Sequence, residues 1–149
     1  MVEFFIDTAS ISEIKNVLPF GVISGVTTNQ KIFSCEKGIN FKDRIHEILS
    51  VIDAPLSIEV TKTNESDEAM VAEAKEYSSW SPKNIVIKVP MFGNGRGLVL
   101  ANKLHKEKIK TNITMTNEWQ EKLKKFQEAR KAKSEWYKKT ARELLEKHQ

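Results

Sequence analysis

Over residues 1–116, short runs of β-branched and aromatic residues alternate with segments whose apolar residues recur at helical spacing. That rhythm predicts repeated βα units around a parallel sheet rather than a set of hairpins. Strands are expected at residues 3–7, 21–27, 55–61, 84–91 and 110–115. Helices are expected at 10–18, 41–52, 66–79 and 95–108, with N-cap signals at Ser10 or Ser12 and at Ser66, and a shorter helix over 30–33.

Within the strands, polar residues recur at every second position. Period-two alternation puts Ile85, Ile87 and Val89 on one face, and Val86, Lys88 and Pro90 on the other. The same parity sends Leu56, Ile58 and Val60 toward the helices and Ser57, Glu59 and Thr61 to the opposite side. In the fifth strand it sets Thr111, Ile113 and Met115 against Lys110, Asn112 and Thr114. A parallel sheet covered by helices is normally apolar on both faces, so this polar set needs a reason. If the sheet curls as a barrel does, Asp7, Thr27, Asn29, Ser57, Glu59, Lys88, Asn112 and Thr114 converge near the C-terminal rim, where barrel active sites form. Any one of them alone could be a strand-end residue facing water. Lys88 is the most informative, because an ammonium inside an Ile-Val-Ile-Lys-Val run is costly to bury without partners, and a lysine so placed is suited to attack a carbonyl.

From residue 117 the character changes to Lys, Glu, Arg, Ala and Gln without Gly or Pro, which predicts helix to the end. Trp119, Leu123, Phe126, Ala129, Trp136, Tyr137, Thr140, Leu144 and Leu145 fall near one stripe, which must fold back, break near Ser134 or pair with another subunit. The expected organisation is therefore an α/β domain over 1–116, a partial TIM-type (β/α) barrel of about five parallel units, followed by a helical segment over 117–149.

Charge changes this picture little. Residues 1–116 hold 14 basic and 14 acidic side chains, and residues 117–149 hold 10 and 6, so the whole net charge of +4 sits in the tail. Alternating Lys and Glu on a helix describe a solvated face, and no nucleic-acid partner is expected. An acidic residue in the opening Met1-Val-Glu-Phe-Phe-Ile-Asp7 and the lack of a long apolar run point to a cytoplasmic protein with no membrane partner. A single cysteine, Cys35, excludes an internal disulfide, and no metal is expected. His46, His105 and His148 read as helix-surface or tail histidines, and Trp80, Trp119 and Trp136 as packing residues. Gly93-Asn94-Gly95-Arg96-Gly97 reads as a flexible loop more readily than as a phosphate cradle, since it lacks a Walker lysine pattern.

Five motifs carry a family resemblance: Phe4-Phe5-Ile6-Asp7-Thr8-Ala9, Gly25-Val26-Thr27-Thr28-Asn29, Ser57-Ile58-Glu59-Val60, Ile87-Lys88-Val89-Pro90-Met91 and Lys110-Thr111-Asn112-Ile113-Thr114. In this order and spacing the chain resembles the transaldolases, including the fructose-6-phosphate aldolase type. The resemblance implies a (β/α)8 barrel enzyme without cofactor, in which Lys88 forms an imine (Schiff base) with a ketose or ketose phosphate and a carbon–carbon bond is cleaved or formed beside it. By the same resemblance Asp7 transfers protons at a substrate hydroxyl, Glu59 with Thr114 holds a proton-relaying water, Asn29 and Asn112 hold substrate hydroxyls, and Thr27 and Ser57 line the pocket. Departures are Gln30 where the family has proline, Glu59 where the fructose-6-phosphate aldolases tend to have glutamine, and the helical tail where the family continues into strands six to eight and a phosphate site. The implied function is an aldolase or transaldolase acting on a sugar or sugar phosphate, self-associating through open barrel edges and the C-terminal helix. The alternative is an inactive truncated or engineered fragment serving as a folded or assembly module.

Overall fold

Helices start where the sequence offers an oxygen to the N–H groups of the first turn. Ser10 accepts from the Glu13 amide, Asn40 from Lys42 and Asp43, and Ser66 from Ala69. In the computed structural model, which describes residues 2–35, 38–92, 94–115 and 117–146, the elements run β1 (Phe4–Asp7), α1 (Ile11–Val17), β2 (Ile23–Thr27), α2 (Gln30–Cys35), α3 (Phe41–Val51), β3 (Leu56–Glu59), α4 (Asp67–Trp80), β4 (Ile85–Pro90), α5 (Arg96–Lys106), β5 (Thr111–Thr114) and α6 (Asn117–Glu146). Gly93, His148 and the side chains of Gln30, Cys35, Trp119, Leu123, Tyr137, Thr140, Leu144 and Leu145 lie outside what is described. A 3₁₀ turn over Leu18–Phe20, with Pro19 near its start, occupies the approach to β2, so that strand begins two residues later than the apolar run suggests.

The five strands form one sheet in sequential order, every neighbouring pair parallel. Helical connections between consecutive parallel strands are the βα units expected from the pattern, and they build a half barrel. The curl has a direct signature. Asn112 on β5 donates from Nδ2 to Ser57 Oγ on β3 at 2.9 Å, passing over β4. Strands two apart in a flat sheet lie about 10 Å from each other, too far for those side chains to meet, so the face carrying them is concave.

The core lies on the convex side. Val26, Leu56, Ile58, Val60, Ile85, Ile87 and Val89 from the strands meet Ile14, Ile45, Ile48, Met70, Ala74, Leu100 and Leu104 from the helices, all essentially sealed from solvent. At about 1.5–3 kcal/mol for each large side chain, this layer is the main favourable term of the fold. On the concave face the Phe5 ring packs against Gly25: a Cβ there would come within 2.3 Å of a ring carbon.

Residues up to Thr114 form one compact unit and those from Met115 onward another. The second is the single uninterrupted helix α6, so no break falls at Ser134; Phe126 and Trp136 on it are exposed. Among the described residues no helix is long and apolar enough to cross a membrane.

Candidate active site

Strand register decides which polar side chains become neighbours. Asp7 pairs with Thr27 and Thr27 with Ser57 across β1, β2 and β3, while Glu59 pairs with Lys88 and Lys88 with Asn112 across β3, β4 and β5. All project from the concave face, opposite to the sealed residues that alternate with them. Thr114 stands on β5 beside Pro90, two residues beyond Lys88 along β4.

The geometry differs from one residue to the next. Thr27 Oγ1 donates to Asp7 Oδ1 at 2.7 Å, fixing one face of that carboxylate and leaving the side chain exposed at the strand end. Lys88 and Glu59 are half-buried partners. Burial raises the pKa of the Glu59 carboxyl above its ordinary value; the Lys88 ammonium opposes that rise and the Asp7 carboxylate adds to it. Glu59 thus lies within the electrostatic reach of both groups, a carboxyl flanked by the Lys88 amine on one side and the Asp7 carboxylate on the other. Such a set can move protons at a carbon bound to nitrogen.

Three residues take parts that alternation alone did not specify. Asn29 caps α2: its Oδ1 accepts from the Ile32 amide at 3.0 Å, so a ligand contact from this side chain would come from Nδ2. Ser57 is sealed, only 2% exposed, beneath the Asn112 carboxamide that it holds. Asn112 itself is exposed on the strand next to Lys88.

The site also has supports that the sequence reading missed. Glu73, buried on α4, accepts from the amides of Thr61 and Lys62, the Thr61 hydroxyl and the Tyr77 hydroxyl, and so pins the chain as it leaves β3. Burial and that contact with Glu73 push the Tyr77 phenol well above its ordinary value. Its signal was present: an acidic residue on the apolar stripe between Met70 and Tyr77. Arg44 on α3 donates from Nη1 to the Ala9 carbonyl at 2.8 Å, fixing the turn after Asp7. By contrast, a groove of about 590 Å³ between α4 and α5 lies on the solvent side of the helices; Lys75 and Lys103 there are engaged by Glu107 and Asp67.

The raised pKa of Glu59 has a consequence for stability. A carboxyl whose folded value exceeds its unfolded one favours folding while protonated; that advantage is lost as pH rises from the ordinary carboxylate range through the raised value. Glu59→Gln, which mimics the neutral acid, is expected to melt higher than the parent protein at pH 7, with the difference vanishing below about pH 4. Thermal melts across pH would contradict this if the gap were constant or reversed.

Residues 4–122 match the family model for transaldolase/fructose-6-phosphate aldolase. Proteins named probable transaldolase from Streptococcus agalactiae serotype V, Brachyspira hyodysenteriae and Roseiflexus sp. strain RS-1 are 47%, 46% and 40% identical over 113 residues. Those residues are 76% of this chain and 50% of each relative, so the chain spans about half the length of the curated relatives it matches. With most of its length under the family model and its concave face carrying the polar set just described, the chain belongs to the transaldolase/fructose-6-phosphate aldolase family.

Proposed function

We propose that the chain carries the imine-forming part of an aldolase or transaldolase acting on ketoses or their phosphates. The observation that carries this reading is the pairing of Lys88 with Glu59 on the concave face, half-buried, with Asp7 in electrostatic reach of the glutamate. The neutral amine of Lys88 adds to the ketose carbonyl, and loss of water gives an iminium. Asp7 takes the proton of the hydroxyl beyond the scissile bond; that bond breaks, an aldehyde departs, and the electron pair is received by the iminium as an enamine. Reprotonation and hydrolysis return the amine, or the enamine adds to a second aldehyde and transfers the fragment. Glu59, with Thr114, handles the proton exchanges at the imine carbon, and no cofactor takes part. Asn112 and Asn29 Nδ2 bind substrate hydroxyls, with Ser57 holding Asn112 and Thr27 holding Asp7.

Borohydride reduction with dihydroxyacetone or fructose 6-phosphate, followed by intact mass and peptide mapping, tests the reading. A reduced adduct confined to Lys88 supports it. Unmodified protein at high ketose concentration overturns it in favour of an inactive module.

Among the described residues the sheet of the half barrel ends in two edge strands, β1 and β5, running in the same direction. Val2, Phe4, Phe20 and Val22 are exposed on or beside the first, and Ile113 with Leu98 and Val99 of α5 beside the second. Since exposed strand edges and contiguous apolar surface favour association, we propose that a second copy covers them. A two-fold axis along the strands sets β5 of each copy parallel to β1 of the other and satisfies both edges at once. Sedimentation should give at least twice the chain mass at tens of micromolar, reduced by Phe4→Lys with Ile113→Lys. A parent protein that sediments as a monomer at that concentration would exclude closure by a second copy.

A further inference from the structure

The glycine-containing turn after β4 has a task other than holding an anion. Arg96 opens α5, and its guanidinium turns back onto the connection between β3 and α4. Nε donates to Asp67 Oδ1 at 2.5 Å, Nη1 to the Thr63 carbonyl at 3.2 Å and Nη2 to the Glu65 carbonyl at 2.5 Å. The Phe92 ring, on a residue held at φ 55°, lies 5.5 Å from the guanidinium carbon. Lys103, two turns further along α5, reaches the other oxygen of Asp67 at 3.2 Å. The Arg96 contact, then the Lys103 contact, hold the Asp67 carboxyl below its usual range, as expected of an ionised acceptor between two cations.

The same connection is gripped from its other end. Glu73 of α4 holds Thr61 and Lys62, and the Val60 amide donates to the Lys88 carbonyl at 3.1 Å. The chain running out of Glu59 is therefore tied first to β4, then to α4 and finally, through Arg96, to the start of α5. Only a planar fork with several N–H donors serves a carboxylate and two carbonyls at once; an ammonium on a flexible stem would satisfy one or two at the cost of the rest.

We propose that Arg96 is a positioning residue for the Glu59 and Lys88 pair: by tying the segment that continues from β3 to the helix that continues from β4, it fixes how the two strand ends, and the carboxylate and amine they carry, stand against each other. The inference rests on the imine reading only for what the pair is for; the tether and its effect on Glu59 stand without it. Glu59 faces Lys88 from β4 and Asp7 from β1, and its burial dominates over both. Releasing Thr63, Glu65 and Asp67 lets the loop move and water reach the carboxyl, which weakens that burial.

The test is the titration of the Glu59 side-chain carboxyl, followed by carbon NMR on the full chain, in the parent protein, Arg96→Met and Arg96→Lys. Lys75→Met, which removes an ion pair with Glu107 outside the tether, serves as control. Arg96→Met is expected to lower the Glu59 midpoint toward the ordinary carboxylate value, Arg96→Lys to lower it by less, and Lys75→Met not to move it. A merely structural role for Arg96 would lower the melting temperature of Arg96→Met without moving Glu59, while Lys75→Met, which loses only a half-exposed ion pair, would change neither. An unmoved midpoint in folded Arg96→Met overturns the proposal. If that variant does not fold, Arg96→Lys decides: a lowered midpoint supports the tether, an unchanged one overturns it. A lowered midpoint together with no ketose adduct in the parent protein would sink the imine reading and leave the positioning role standing.

Discussion

Under the proposed imine chemistry, Lys88→Met is expected to remain folded, to take up no reducible ketose adduct, and to lose carbon–carbon bond cleavage by about 10³-fold or more. The magnitude follows from the chemistry. Without an amine there is no iminium, and nothing else among the described residues of the concave face can accept the electron pair of the breaking bond. Methionine keeps the length and flexibility of the side chain, so the concave face is not emptied. The substitution carries its own check on folding. Lys88 is the group that opposes the upward shift of the Glu59 pKa, so its removal must raise that value further. A variant that loses the adduct while Glu59 titrates higher has lost the amine alone. Lys83→Met is the matched control, because Lys83 forms an exposed ion pair with Asp53, and its adduct yield should equal that of the parent protein. An adduct persisting in Lys88→Met would place the reactive amine elsewhere and remove the reason for reading the concave face as an active site.

How far the sequence carries this picture can be seen residue by residue. In β3 and β4 alternation alone separates Leu56, Ile58, Ile85, Ile87 and Val89, none more than 1% exposed, from half-buried Glu59 and Lys88. Those strands lie in the middle of the sheet, where both neighbours are present and every residue on the apolar parity is sealed, although Ser57 and Pro90 on the other parity are sealed as well. At the edge the rule weakens: Ile113 sits on the apolar parity of β5 and is still 37% exposed, because its strand has a neighbour on one side only. Contacts that depend on curvature were beyond reach. Ser57 and Asn112 are 55 residues apart and meet only because the sheet bends. Arg96 stood within a glycine-rich motif that suggested flexibility or phosphate, and its three acceptors lie about 30 residues upstream. Local pattern describes each strand; the partners of a long polar side chain are set by how strands and helices are stacked, which pattern does not encode.

Gly97→Ala is expected to destabilise the protein by about 3 kcal/mol, the sum of about 1–3 for overpacking and about 1 for a weakened hydrogen bond. The sign is opposite to that of an ordinary helix position, where alanine in place of glycine stabilises by up to about 1 kcal/mol. Gly97 is in the first turn of α5, and a Cβ built there falls 2.0 Å from the Pro90 carbonyl oxygen and 2.9 Å from Cα and O of Met91. All three are backbone atoms, so no side-chain rotation relieves the overlap; either α5 lifts or the end of β4 gives way. The Gly97 amide also donates to the Met91 carbonyl at 3.1 Å, a bond that the displacement stretches. Against a total stability of about 5–15 kcal/mol the loss is large, and the melting temperature should fall by about 10 °C. Gly95→Ala separates steric overlap from backbone strain: Gly95 has φ 77° and nothing within 4 Å of its Cβ position, so its cost is limited to about 1 kcal/mol for the left-handed conformation. Chemical denaturation should therefore rank Gly97→Ala well below Gly95→Ala; equal losses would mean that the close approach of α5 to β4 does not exist in solution. Pro90 ends the strand that presents Lys88, Met91 follows it, and Arg96 adjoins Gly97, so the same displacement shifts that strand end and the α5 anchor of the tether. Under the imine reading, Gly97→Ala should form the Lys88 adduct more slowly even at temperatures where it is fully folded, while Gly95→Ala should not.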